Sequence, residues 1–308
     1  MDARLTVTLP QLMHLAGAAQ QLSNLPAQLP PGAMAGERTS RQQGRGLNFD
    51  SLRRYQPGDD VRLIDWQATA RLRAPWVRLY NEERERPVIL LVDQRLDMYF
   101  STRGQTKSAA AAEIAALLAW RCWHDNDRLG SAVFSDDEIA FQRCRSPKRS
   151  LHPLFADLLR LNQSLASRYP REPAQPLSFT HLLQQMSRQI PAGSWVAMIS
   201  DFHDMDAECE ALLARLRRRC EISAFVVLDD VHLRLPASGE LAASYQQQRV
   251  ALSLSPQLQR QIADVTSGRL ARQEKRLLSL GIEVRQINVG EPILHQLQTG
   301  GARAGKRL

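Results

Sequence analysis

The chain has 308 residues, 44% of them apolar and 23% charged, with a formal net charge of +8. That is the composition of a globular protein long enough for one large domain or two small ones, with a substantial core. No apolar run approaches the ~20 residues that a membrane-crossing helix needs. The four cysteines, Cys122, Cys144, Cys209 and Cys220, lack the CxxC spacing of a zinc ribbon, so they read as reduced thiols in or near the core of a cytosolic protein.

In chain order, the first stretch, MDARLTVTLPQLMHLAGAAQQL, has no basic lead and no cleavage site, unlike a signal peptide. Residues 5–24 begin as an alternation and become a short helical pattern. Residues 25–46 crowd Pro and Gly and read as a linker, so 1–46 is expected to form an N-terminal arm. The next stretch, Phe49 to Arg71 (FDSLRRYQPGDDVRLIDWQATAR), mixes acids, arginines and aromatics around Pro57-Gly58, a turn signal. Asp59 and Asp60 can accept the backbone N–H groups that close this turn, and Val61, Leu63 and Ile64 offer apolar contacts. Asp65 reads as the N-cap of a short helix over Trp66–Arg71. Arg53, Arg54, Arg62 and Arg71 can fork onto these acids. Segment 47–86 is therefore expected to be a non-repetitive knot of ion pairs pinned to a neighbouring domain.

Trp76–Tyr80 alternates as an exposed strand does. Pro87–Val92 is a continuous apolar strand ending at Asp93, the pattern of a central parallel strand buried on both faces. Further strands are expected at Leu129–Phe134, Trp195–Ile199, Cys220–Leu228 and Ile282–Val289, with Glu138–Arg143 as a hairpin partner. Helices are expected at Thr106–Trp123, Ser150–Leu161, Thr180–Gln189, Asp206–Arg218 and Pro256–Leu280, the last stopped by Gly281. Residues 164–177 read as a loop and Pro236–Leu254 as an exposed hairpin around Ser238-Gly239. Such alternation of strand and helix implies a Rossmann-type α/β domain over 87–290, with a doubly wound, mostly parallel sheet and a small β extension. Residues 291–308 form the tail, with 299–308 expected to be disordered.

Ligands bind such sheets outside the carboxyl ends of the strands. Those ends carry Asp93, Asp201 and Asp229, with Thr180 at a nearby helix start. His203, in Asp201-Phe202-His203-Asp204, would suit a metal-dependent hydrolase built on Asp93, Asp201 and His203. Against an enzyme, the seven histidines show no HExxH or other ligand spacing. GxxxxGK[ST], GxGxxG and Gly-x-Ser-x-Gly are all missing, and Gly44-Arg45-Gly46 is too slight to cradle a phosphate. The arginine excess raises nucleic acid as an alternative partner. The arginines are interleaved with acids, however, and the dense run Arg215–Arg219 ends a helix, where cations favour the dipole.

The run Leu52-Arg53-x-Tyr55-x-Pro57-Gly58-Asp59-Asp60-x-Arg62-x-Ile64-Asp65-Trp66-x-x-x-Ala70-Arg71 resembles the signature of the bacterial family catalogued as domain of unknown function 58. The layout as far as Val289 fits that family. The resemblance implies a von Willebrand factor A-like domain after the signature. It also implies a non-enzymatic adaptor that is cytoplasmic, at most peripheral to the inner membrane, with a MoxR-type AAA+ ATPase and protein clients as partners. It further implies a metal-ion-dependent adhesion site, built from Asp-x-Ser-x-Ser, a Thr and an Asp around Mg²⁺. The corresponding residues here are Asp93, Arg95, Asp97, Thr180 and Asp201. Both serines are replaced, and Arg95 brings a permanent positive charge to the place of the ion. It could satisfy Asp93 and Asp201 as an internal stand-in, or swing outward and leave Asp97 as a strong oxygen ligand. The expected site is thus degenerate, with no cofactor or weakly held Mg²⁺. Partners are expected to meet salt bridges and apolar contacts around Arg95 and Asp97. The signature residues Arg53, Tyr55, Pro57, Gly58, Asp59, Asp60, Arg62, Asp65, Trp66 and Arg71 are expected to bind partners or to support the fold.

Overall fold

The computed structural model describes residues 4–22, 47–82, 87–102, 104–169, 176–229, 239–245 and 248–299. The chain divides into two compact units, 28–85 and the remainder. Along the chain run α1 (Leu9–Ala19), β1 (Leu47–Arg54), α2 (Trp66–Leu72), β2 (Trp76–Glu82), β3 (Pro87–Asp93), α3 (Lys107–Asp125), β4 (Arg128–Phe134) and β5 (Ile139–Arg145). They are followed by α4 (Pro147–Arg168), α5 (Phe179–Met186), β6 (Trp195–Ser200), α6 (Ala207–Arg217), β7 (Glu221–Leu228), β8 (Gly239–Tyr245), β9 (Gln248–Leu254), α7 (Pro256–Ser279), β10 (Glu283–Asn288) and α8 (Ile293–Thr299).

Six strands of the larger unit make one sheet in the order β10-β7-β6-β3-β4-β5. Every neighbouring pair is parallel except β4–β5. Counted along the chain from β3, this is the doubly wound order 3-2-1-4-5-6, whose switch point lies between β3 and β6. The apolar run of β3 is shared between two cores. Val88, Leu90 and Val92 face α1, α3, α4 and α8, whereas Ile89 and Leu91 face α5, α6 and α7. Full burial of each such side chain contributes about 1.5–3 kcal/mol, so a strand without a polar face is stable only between two helix layers. Among the described residues, no helix is long and apolar enough to cross a membrane.

Several boundaries differ from the sequence reading. Residues 4–22 are part of the larger unit rather than an arm. Val7, Leu12, Ala19 and Leu22 are buried, Trp120 Nε1 donates to the Leu12 carbonyl, and Val7 N donates to Asn162 Oδ1. Residues 23–46 lie outside the described residues. Helix α4 starts earlier and runs later than expected, because Pro147 sits in its first turn, where no N–H is missed, and Pro153 is tolerated inside it. The hairpin β8–β9 pairs Tyr245 with Gln248 and Gly239 with Leu254, so Gly239 opens a strand instead of lying in the hairpin's turn. After β10 the chain returns to the core through Ile293 and Leu297. Residues 300–308, nine of the ten expected to be disordered, lie outside the described residues. Cys122, Cys209 and Cys220 are buried and Cys144 is half-buried, without a disulfide.

In the smaller unit β1 and β2 pair antiparallel. Between them lie the Pro57-Gly58 turn, with Gly58 at φ 106°, a 3-10 turn over Val61–Leu63, and α2. Of the expected knot of ion pairs, the described residues show a forked pair and two caps. Arg53 Nη1 and Nη2 donate to Asp59 at 2.8 and 2.7 Å. Asp60 accepts Arg62 N and Asp65 accepts Ala68 N, each at 2.9 Å. Tyr55 N donates to the Pro75 carbonyl. Of the residues expected to make apolar contacts, Val61 is 59% and Leu63 40% accessible while Ile64 is half-buried; Trp66 is 70% accessible.

Candidate functional site

At the switch point the carboxyl ends of β3 and β6 lie side by side. Asp93 closes β3 and is fully buried. It accepts Arg95 Nε at 3.1 Å, Arg95 Nη2 at 2.8 Å, Arg95 N at 3.0 Å and Ser200 Oγ at 2.6 Å. Arg95 is also buried. Its Nη1 donates to Asp204 Oδ2 at 2.6 Å and to the Leu177 carbonyl at 3.1 Å, and its Nη2 to Asp204 Oδ1 at 3.1 Å. All five guanidinium N–H groups are thereby used, and the group lies 5.3 Å from the Phe134 ring centroid. Burial opposes its charge, but Asp93 and then Asp204 outweigh burial and hold the guanidinium proton more firmly than usual. For Asp204 burial likewise opposes ionisation, and Arg95 reverses the balance and depresses its pKa.

A second chain of charges runs along the rim. Lys107, the first residue of α3, pairs with Asp201, which also meets His203 Nδ1 at 3.0 Å. His203 Nε2 meets Asp97 Oδ2 at 2.8 Å. Burial disfavours the charged ring, but hydrogen bonds to Asp201 and Asp97 outweigh it and push its pKa up to about 10. At neutral pH His203 is an imidazolium whose two nitrogens both donate. Burial would raise the pKa of Asp201, yet Lys107 and His203 hold it far below the ordinary range. The His203 hydrogen bond also lowers that of Asp97.

The loop after β6 makes both chains possible. Phe202 adopts φ 52°, the left-handed region that a bulky residue seldom enters. Ser200 Oγ accepts Phe202 N, Gln273 Nε2 donates to the Phe202 carbonyl, and its buried ring lies 5.2 Å from that of Phe179. The turn sends Asp201 to Lys107 and Asp204 to Arg95. Beyond β4, Asp136 is 5% exposed and accepts Leu96 N at 2.8 Å. Burial raises its pKa to about 6. A cleft of about 200 Å³ opens there, between Leu96, Asp97, Asp136, Leu177, His203 and Asp204.

The structure brings together Asp93 and Arg95, and links Asp97 to Asp201 through His203. Arg95 takes up Asp93 as expected, but its second partner is Asp204 and not Asp201. Thr180 is diverted, its Oγ1 donating to Asp206 Oδ1 at 2.8 Å. Asp229 accepts Thr102 N and Thr102 Oγ1 instead. The set does not fit Mg²⁺, because the expected ligands are engaged by donors or, for Thr180, by an acceptor of the protein itself. Among the described residues, no group of three or more His, Cys, Asp or Glu is placed to hold a metal. Sequence reasoning missed Lys107, Ser200, Asp136 and the role of Asp204. Ser200 and Asp136 could have been found as polar residues closing or following apolar strands. Lys107 looks like any residue at a helix start.

Sheet order and rim together define a class: a doubly wound α/β domain with a buried guanidinium at its switch point. The chain belongs to the family described as "Protein of unknown function DUF58", which it matches over residues 51–273. It is 27% identical over 227 residues to "Uncharacterized protein Rv1480" of Mycobacterium tuberculosis (strain ATCC 25618 / H37Rv), an alignment covering 74% of this chain and 69% of that protein. "Uncharacterized protein Mb1516" of Mycobacterium bovis matches with the same identity and coverage. Among solved structures it is similar to the conserved hypothetical protein BatB from Bacteroides thetaiotaomicron, with TM-score 0.37 and 13% identity over 68% of this chain and 92% of that one. An aerotolerance-related membrane protein from Bacteroides fragilis gives TM-score 0.33 and 13% identity over 68% and 97%.

Proposed function

We propose that this protein is a non-enzymatic, cytoplasmic interaction module, an adaptor that docks a MoxR-type AAA+ ATPase and protein clients. The observation that carries this reading is the occupation of Asp93, at the switch point, by the protein's own donors. Asp93 is buried and occupied by Arg95 and Ser200, so neither metal nor substrate reaches its oxygens. His203 is protonated between two carboxylates, so it has no lone pair with which to act as a base. Both features favour a docking rim over a hydrolase. The smaller unit supports the same reading: Trp66 is 70% exposed, and tryptophan and arginine are the residue types that most often anchor protein interfaces. Nucleic acid is less favoured, because Arg217 and Arg219 of the densest basic run donate to the carbonyls of Gly281 and Ile190.

The test is surface-immobilised binding of the purified MoxR-type ATPase from the same genome. Saturable binding that weakens with Trp66→Ala supports the reading. No binding even at low salt, or a low-salt gel shift with duplex DNA in its place, overturns it.

A further inference from the structure

The charges around the switch point do not balance. Five carboxylates (Asp93, Asp97, Asp136, Asp201, Asp204) face three cations (Arg95, Lys107, His203). Arg95 serves Asp93 and Asp204, Lys107 serves Asp201, and His203 is shared by Asp201 and Asp97. Among the described residues no cation forms an ion pair with Asp136, and Arg95 acts on it only through its field. It is 5% exposed, and among the described residues the one donor that meets its carboxylate is Leu96 N, on Oδ2. A buried carboxylate without a counter-charge is costly, and this one lines the open cleft. Asp97, whose side chain is 50% exposed, stands at the edge of the same cleft.

Resting on the interaction-module reading, we propose that this cleft seats a basic side chain of a protein partner, its ammonium or guanidinium pairing with Asp136 at the base and Asp97 at the edge. The cleft's walls include Leu96, Pro176 and Leu177, against which the alkyl stem of lysine or arginine lies while its charged head meets the acids. An anion does not suit the cleft, because every N–H of Arg95 is already spent. A divalent ion does not suit it either, since it wants about six oxygens, and among the described residues no three acidic or histidine groups converge. The polarity of the adhesion site is therefore inverted: the cation comes on the partner.

Amide-resolved NMR titration of the full chain with Nα-acetyl-lysine amide and Nα-acetyl-arginine amide tests this, with the neutral Nα-acetyl-norleucine amide as control. The Leu96 and Leu177 amide signals are expected to shift saturably with at least one cationic probe and not with the norleucine amide. Asp136→Asn keeps an oxygen for Leu96 N and is expected to weaken binding by about tenfold or more, and Asp97→Asn by less. Equal shifts from the norleucine amide, or unchanged affinity in Asp136→Asn, overturn the proposal. Putrescine binding more tightly than either amide would make the ligand a free amine and also overturn it. If the ATPase binds the wild type while both cationic probes fail, the cleft proposal falls and the module reading stands. If the probes bind and the ATPase does not, the reverse holds.

Discussion

Arg95 shows how one side chain can replace an ion. Its fork reaches two carboxylates on different loops and a backbone carbonyl, a geometry that a lysine ammonium cannot copy. Arg95→Met leaves Asp93 and Asp204 without their counter-charge, with only Ser200 Oγ and two backbone N–H groups as donors, and should cost about 3–5 kcal/mol in a urea denaturation series. Arg95→Lys should recover only part of that. Asp136 carries the opposite strain. Its folded pKa, about 6, lies above the ordinary 3.8, so the folded state binds the proton more tightly than the unfolded state does. Stability contributed by the protonated form is full below 3.8, falls as pH rises through about 6, and is then gone. Asp136→Asn should therefore be more stable than wild type by about 1–2 kcal/mol above about pH 7 and equal to it in acid, as melting curves at the two ends of the range would show. A charge that destabilises the free protein is consistent with a site that is completed by a partner.

At the scale of elements, two positions explain themselves only through their neighbours. Gly130 lies in β4 at the register shift against β5. A Cβ there would meet Ile89 Cδ1 at 2.8 Å, Cys144 N at 2.9 Å and Cys144 Cα at 3.0 Å. Gly130→Ala should push the antiparallel edge strand away and cost about 1–3 kcal/mol, read from the denaturation midpoint. Helix α2 is the converse case. Only Ala68 of its seven residues is buried, and Asp65 caps it, so Trp66 contributes little to its stability. Trp66→Ala should change stability by no more than about 0.5 kcal/mol while reducing affinity for the ATPase by about tenfold or more. A loss of stability instead would mark Trp66 as structural. The exposure of Val61 and Leu63 differs from the contacts expected of them, because apolar residues in a charged loop look the same in sequence whether they pack inward or face solvent.

For the whole molecule, the parallel sheet, its five parallel members and its antiparallel edge were legible from local pattern alone. Runs such as Pro87–Val92 and Trp195–Ile199 have no polar face, so burial between two layers of helices is their only stable placement. The strand-end acids were legible for the same reason, since each follows on such a run, whereas position 95 was singled out only by the family resemblance. What the tertiary structure alone decided is who pairs with whom. Arg95 and Asp204 are 109 positions apart, and Lys107 and Asp201 are 94 apart. Their meeting depends on the left-handed turn at Phe202, itself held by Gln273 of a distant helix and the ring of Phe179. A charge in a sequence has no partner until folding brings one within hydrogen-bond reach. That is why the composition could announce acids and bases at this rim, and only the packed loops could leave Asp136, among the described residues there, the one without an ion-pair partner.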